Sequence, residues 1–229
     1  MTCVHKFFGH SAHLRECKGL LPAWEAKTLI VGTFNPEQSW HPKNTAKYYY
    51  GRSRNYLWKI LPLFANEGSI SHQDVPTQLA FLQRNKIALT DLLISINDAD
   101  FTIPEHQNRI QTVLDSQIEM FNEFTWNTNH VLEYIKENRI EVVYFTKLGK
   151  ANQLNVSPNS FEWQIRKIED LCHELKIPSF RLHTPSGQGL GKGKPKKNKL
   201  IRKWFLENGG DHFPFLFQKF SLKQFPFIE

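Results

Sequence analysis

Two polar turns between Gly32 and Asn55 carry the residue types most suited to chemistry. The first, Gly32-Thr33-Phe34-Asn35-Pro36, closes an apolar run that starts at Thr28. The second, Tyr48-Tyr49-Tyr50-Gly51-Arg52-Ser53-Arg54-Asn55, leads into a stretch with helical periodicity. Aromatic faces, side-chain amides and arginines at such spacing suit a planar base lying beside phosphate, because rings stack on bases and guanidinium groups pair with phosphate oxygens. A third segment has the same character. His183-Thr184-Pro185-Ser186-Gly187-Gln188-Gly189-Leu190-Gly191-Lys192-Gly193-Lys194 opens a loop in which glycines allow close approach of the backbone to a ligand. Between Lys192 and Lys203 it crowds seven cations into twelve residues, which can lie along phosphates. It is not a nucleoside-triphosphate loop, since Ser186 stands where the first glycine and Gly193 where the Ser/Thr would be required.

The elements that must position these turns follow from hydrophobic periodicity. Leu29–Phe34, Ile87–Leu93, Ile140–Thr146 and Ser179–His183 are short, apolar and rich in β-branched or aromatic residues, as strands covered on both faces are. Helical patterns over Tyr56–Phe64, Asn127–Asn138, Phe161–Leu175 and Lys196–Glu207 fall between or after them. Strands alternating with helices imply a parallel sheet with helices on both sides. In such a sheet, ligands bind outside the carboxyl ends of the strands. The candidate turns follow the first and last strands, and Asp91 and His183 end at the same edge. Asp91 is expected either to orient the pocket or to cap the next element.

The 229 residues suffice for one buried domain, with no repeat and no linker that would divide it. A net charge of +7 favours a polyanionic partner. The absence of an 18-residue apolar run argues against a membrane helix. The first residues lack the pattern of a signal peptide, and three cysteines without a CxxC argue against a disulfide scaffold, so a cytoplasmic location is expected. Cys3, His5, His10, His13 and Cys17 cluster, but their spacing matches no standard zinc site, and neither metal nor cofactor is expected. Asp211–Glu229 holds six phenylalanines, to be read as an aromatic tail packed on the domain or as an exposed docking segment.

From Thr28 to Glu207 the chain resembles the uracil-DNA glycosylase superfamily, most closely its mismatch-specific uracil/thymine and hypoxanthine branches. The resemblance rests on Gly32-Thr33-Phe34-Asn35-Pro36, on Tyr50 placed five positions before Asn55-Tyr56-Leu57-Trp58, and on Pro185-Ser186-Gly187. One residue more separates Gly32 from Asn35 than in the mismatch-specific pattern. The resemblance implies a three-layer α/β/α sandwich around a central, mainly parallel four-stranded sheet. It also implies a monomeric, monofunctional enzyme that flips a base from DNA and hydrolyses its N-glycosidic bond. On that expectation Tyr50 and Phe34 stack on the base, Gly32, Thr33 and Asp91 line its pocket, and Asn35 or Asn55 positions the water. His183 donates to the base carbonyl. Arg52, Arg54, Ser186, Lys192 and Lys194 touch DNA, and Gly187, Gln188, Gly189 and Leu190 form the wedge that fills the vacated stack.

Two other classes compete with this one. A non-catalytic nucleic-acid-binding module would keep the aromatic pocket and basic loop without water positioning. A small-molecule nucleosidase would have no use for Lys192–Lys203.

Overall fold

The computed structural model describes residues 2–7, 21–22, 24–149, 156–191 and 195–225. Lys192, Lys194, His10, His13 and Cys17 lie outside the described residues. In chain order the elements are β1 (Cys3–Val4), β2 (Thr28–Gly32), α1 (Leu57–Phe64), α2 (Val75–Arg84), β3 (Ile87–Asp91), β4 (Leu93–Ile96), α3 (Pro104–Thr112) and α4 (Asp115–Ile118). They continue with β5 (Phe124–Trp126), α5 (Thr128–Glu137), β6 (Val142–Phe145), α6 (Phe161–Glu174), β7 (Ser179–Arg181) and α7 (Lys196–Leu206).

The central sheet has four strands in the order β3-β2-β6-β7, and every pairing is parallel. Its inner strands are buried along their whole length, which is why the sequence shows continuous apolar runs there rather than alternation. Successive residues of β2 point to opposite faces and so belong to two different cores. Leu29 and Val31 pack with Val131 of α5 and with Ile165 and Ile168 of α6. Ile30 packs with Leu57 and Leu61 of α1, Phe81 of α2 and Trp204 of α7. The molecule is therefore a three-layer α/β/α arrangement. Among the described residues no helix is long and apolar enough to cross a membrane.

The four anticipated strands and four anticipated helices are present, with no end displaced by more than two residues. One strand differs in kind. The run Ile87–Leu93 stops at Asp91, and Leu93 begins β4, which leaves the parallel sheet. β4 forms the centre of a separate antiparallel sheet, β1-β4-β5, that the sequence did not announce. β1 and β5 are too short, at two and three residues, to show a period. Helices α2, α3 and α4 were also unanticipated. The first two bury only one face, and α3 buries only Ile110.

The aromatic tail packs back on the domain. Phe213 is buried between Phe64 and Tyr144, at ring-centroid distances of 5.1 and 4.6 Å, and Phe220 stacks on Phe64 at 4.9 Å. Of the two readings of that segment, packing is the one that holds over residues 211–225.

Candidate active site

In the order β3-β2-β6-β7 the chain moves from β2 outward to β3, then returns past β2 to β6 and continues outward to β7. The connections from β2 and from β6 thus leave in opposite directions, and a crevice must open between these strands at their carboxyl ends. A cleft of about 800 Å³ lies there. Phe34 and Asn35 enter it from the turn after β2, Tyr50, Arg52, Arg54 and Asn55 from the second turn, Asp91 from the end of β3, and His183, Ser186, Gln188 and Gly189 from the loop after β7. The turns before α1 and α7 are fastened together, since the Tyr56 N–H donates to the Pro185 carbonyl at 2.8 Å.

Gly32 is the floor, and it is needed for space rather than for an unusual backbone angle. A methyl group on its Cα would stand 2.1 Å from Asp91 Oδ1 and 2.6 Å from the Tyr50 hydroxyl. Those two polar groups therefore occupy the volume that a side chain would fill. The Tyr50 hydroxyl also shares a hydrogen bond with Thr146 Oγ1 at 3.1 Å. Burial, and secondarily the charge of Asp91, pushes the Tyr50 phenol far above its ordinary range, so it stays protonated. Tyr50 has φ of 54°, a left-handed conformation that costs a bulky residue on the order of 1–3 kcal/mol. Such strain survives only where the surroundings impose it, here where the ring must face the cleft.

The two asparagines are not equivalent. Asn44 Nδ2 donates to the Pro36 carbonyl at 2.8 Å, which fixes the orientation of that amide because a carbonyl can only accept. The same Nδ2 donates at 2.7 Å to Asn35, whose atom there must therefore be Oδ1. Arg52 Nη2 donates to Asn35 Oδ1 as well, at 3.3 Å. Both lone pairs of Asn35 Oδ1 are spent, and its NH2 is the group left for a ligand. Among the described residues Asn55 Oδ1 accepts only from Leu57 N–H, at 2.8 Å, an interaction at the start of α1. One lone pair of Asn55 remains.

The electrostatics are mixed. Arg52 makes no ion pair among the described residues, and burial lowers its pKa while Asp91 opposes that shift. Lys6 lies near enough to Arg52 to be depressed by it, after burial as the larger cause. Lys147 is different, since its Nζ is paired with Asp115 at 2.8 Å. His183 is buried, its N–H donates to Asn208 Oδ1 and its carbonyl accepts from Trp204 Nε1. Burial lowers its pKa below the usual imidazole range, so the ring is unprotonated at neutral pH. Its Nδ1 is 3.5 Å from the Thr184 carbonyl, too long to fix the tautomer.

Most of the expected site residues that are described converge on the cleft, with two points of difference. Leu190 is folded into the α1/α7 core beneath its loop, so the apolar wedge anticipated there is not presented outward, and Gln188 is the exposed side chain at that rim. Asp91 does not cap a following element, because its Oδ2 lies 2.7 Å from His5 Nε2. Several cleft residues escaped the sequence reading. Thr146 ends a strand that had been identified, so the strand-end rule would have found it. The α3–α4 loop around Val113 and Leu114 carried no such signal. Nor did the two buried residues that hold cleft side chains, Asn44 behind Asn35 and His5, noted only within the His/Cys cluster, behind Asp91.

The sequence matches no family model and no curated protein. Among solved structures it is similar to the solution NMR structure of a "putative Uracil DNA glycosylase" from Methanosarcina acetivorans, at 15% identity over 77% of this chain and 88% of that chain, with a TM-score of 0.43.

Proposed function

We propose that this protein is a DNA glycosylase that flips a base into the cleft between β2 and β6 and hydrolyses its N-glycosidic bond with water. The observation that supports this most is the composition of one cleft: aromatic faces, spare amide groups and an arginine with no ion pair among the described residues, gathered by three separate turns. Flipping costs a few kcal/mol of unstacking, and stacking returns about 1–3 kcal/mol per base. Tyr50 and Phe34 supply the stacking faces.

Bond cleavage sends negative charge onto the departing base. The Asn35 NH2 is a fixed donor for that charge, and donors aimed at a developing anion contribute about 10²–10³ in rate each. His183 adds a second donor in the tautomer that carries its proton toward the cleft. Asn55 Oδ1, with its remaining lone pair, orients the attacking water. Because an amide is a weak base, the water is positioned rather than deprotonated in advance, which implies slow turnover. Lys147 is held by Asp115 and does not offer a free amine, in keeping with water rather than lysine as the nucleophile and with a monofunctional enzyme. Arg52, Arg54, Ser186, Gln188 and the backbone of Gly187 and Gly189 contact phosphates around the extruded nucleotide.

The test is incubation with labelled duplexes carrying uracil, hypoxanthine, xanthine, mismatched thymine or modified cytosines, followed by alkali cleavage at abasic sites. Cleavage at one base that disappears in Asn55→Ala, with DNA affinity retained, supports the enzyme. Salt-sensitive binding with no cleavage at any base supports the non-catalytic module instead.

A further inference from the structure

His5, from the amino-terminal segment outside the α/β core, reaches the floor of the cleft. The segment is laid in place by backbone pairing on two sides. His5 N–H donates to the Ile94 carbonyl at 2.8 Å, and Lys6 N–H donates to the Asn35 carbonyl at 2.8 Å. β1 is the edge strand of the small sheet, so the sheet that the sequence did not announce is what delivers His5. The imidazole is fully buried and is packed edge-on to Phe7 and Phe34.

Its hydrogen bonds define its tautomer. Phe7 N–H donates to Nδ1 at 3.2 Å, so the ring proton sits on Nε2 and is donated to Asp91 Oδ2 at 2.7 Å. Asp91 is 5% exposed, and its Oδ1 lies over Gly32 with no hydrogen-bond partner among the described residues. A nearly buried carboxylate oxygen without a donor is costly, and Asp91 lines the cleft from which a donor could come.

We infer that His5 is a positioning residue that clamps Asp91 so that Oδ1 accepts a hydrogen bond from an N–H of the flipped base, which makes the floor selective for bases presenting a donor on their pairing edge. The identity of the ligand rests on the glycosylase reading; the clamp itself does not. The chemistry specifies what substitution does. In Asp91→Asn the amide oxygen must turn to His5 Nε2–H, which places the NH2 over Gly32 and converts the floor from acceptor to donor. His5→Gln keeps a donor near the position of Nε2, whereas His5→Leu removes it.

The experiment is an NMR titration of the full-length protein labelled with ¹⁵N, following the His5 Nε2–H resonance. The probes are hypoxanthine and uracil, each against its N1- or N3-methylated form, which lacks the donor. Excision of the same bases from duplex DNA is measured in parallel. The expected result is a shift of the His5 resonance by one parent base, at least tenfold weaker binding of its methylated form, loss of that preference in Asp91→Asn and His5→Leu, and its recovery in His5→Gln. Equal response to parent and methylated bases, no response to either, or an unchanged preference in Asp91→Asn overturns the inference. Excision without a His5 response defeats the clamp alone; a His5 response without excision defeats the glycosylase reading and leaves the clamp standing.

Discussion

Asn44 Nδ2 donates to Asn35 Oδ1 at 2.7 Å, and this contact decides which end of the Asn35 amide a ligand meets. Asn35→Asp replaces the spare NH2 by a second acceptor while leaving Asn44 and Arg52 satisfied. Excision activity should fall about 10²–10³-fold with little change in melting temperature, because one donor to the departing base is lost and no packing is. Single-turnover rates beside a thermal melt check this. An unchanged rate would remove Asn35 from base stabilisation.

Gly32→Ala puts a methyl group into space held by Asp91 Oδ1 and the Tyr50 hydroxyl. Displacing both should abolish excision. Overpacking of this kind costs about 1–3 kcal/mol, so the variant should remain folded at room temperature. Circular dichroism and an activity assay on the same sample test the separation of the two effects.

Arg52 and Arg54 both line the cleft, and neither has a carboxylate partner among the described residues. Replacing each by Gln should weaken DNA binding across all sequences and reduce the slope of log affinity against log salt by about 1 per arginine. Fluorescence anisotropy over a salt series measures it. A slope that does not change would show that the cations face away from phosphate.

Arg181, at the end of β7, binds Glu162 and Glu169 of α6 at 2.8 and 2.7 Å and also donates to the Leu148 carbonyl at the cleft rim. Arg181→Met should destabilise the fold by about 3 kcal/mol, because Glu169 is left without its cation and the nearly buried Glu162 is left with Arg166 alone. Burial alone would raise the pKa of Glu162, but the hydrogen bonds and charge of Arg181, joined by those of Arg166, outweigh it and the net shift is downward. A depressed folded value means that this stabilisation is present above the ordinary glutamate pKa of 4.5 and is lost as pH falls below it. Denaturant melts of wild type between pH 7 and 3 should show that loss, and the Arg181→Met variant should show less of it.

The central sheet and the helices α1, α5, α6 and α7 were legible because their burial is continuous enough to write a period into the sequence. Strands such as Thr28–Gly32 are covered on both faces, and helices such as Phe161–Glu174 bury a whole stripe. The polar turns were legible by residue type, and parallel topology alone required them to meet at one edge of the sheet. Leu190 shows where that reading stops, since an apolar residue in a glycine-rich loop is equally at home as an outward wedge or as the plug of the core it became.

What the tertiary structure decided were the pairings. A sequence lists donors and acceptors but not which of them are already spent. Asn35 and Asn55 were interchangeable until Asn44 and Arg52 filled the lone pairs of one and Leu57 took a single lone pair of the other. His5 lay among histidines of no evident role until a two-residue strand carried it 86 positions along the chain to Asp91. Periodicity is a local property set by burial, and the chain states it directly. Hydrogen-bond satisfaction at a site depends on which distant groups share one cleft, and only the folded arrangement fixes that.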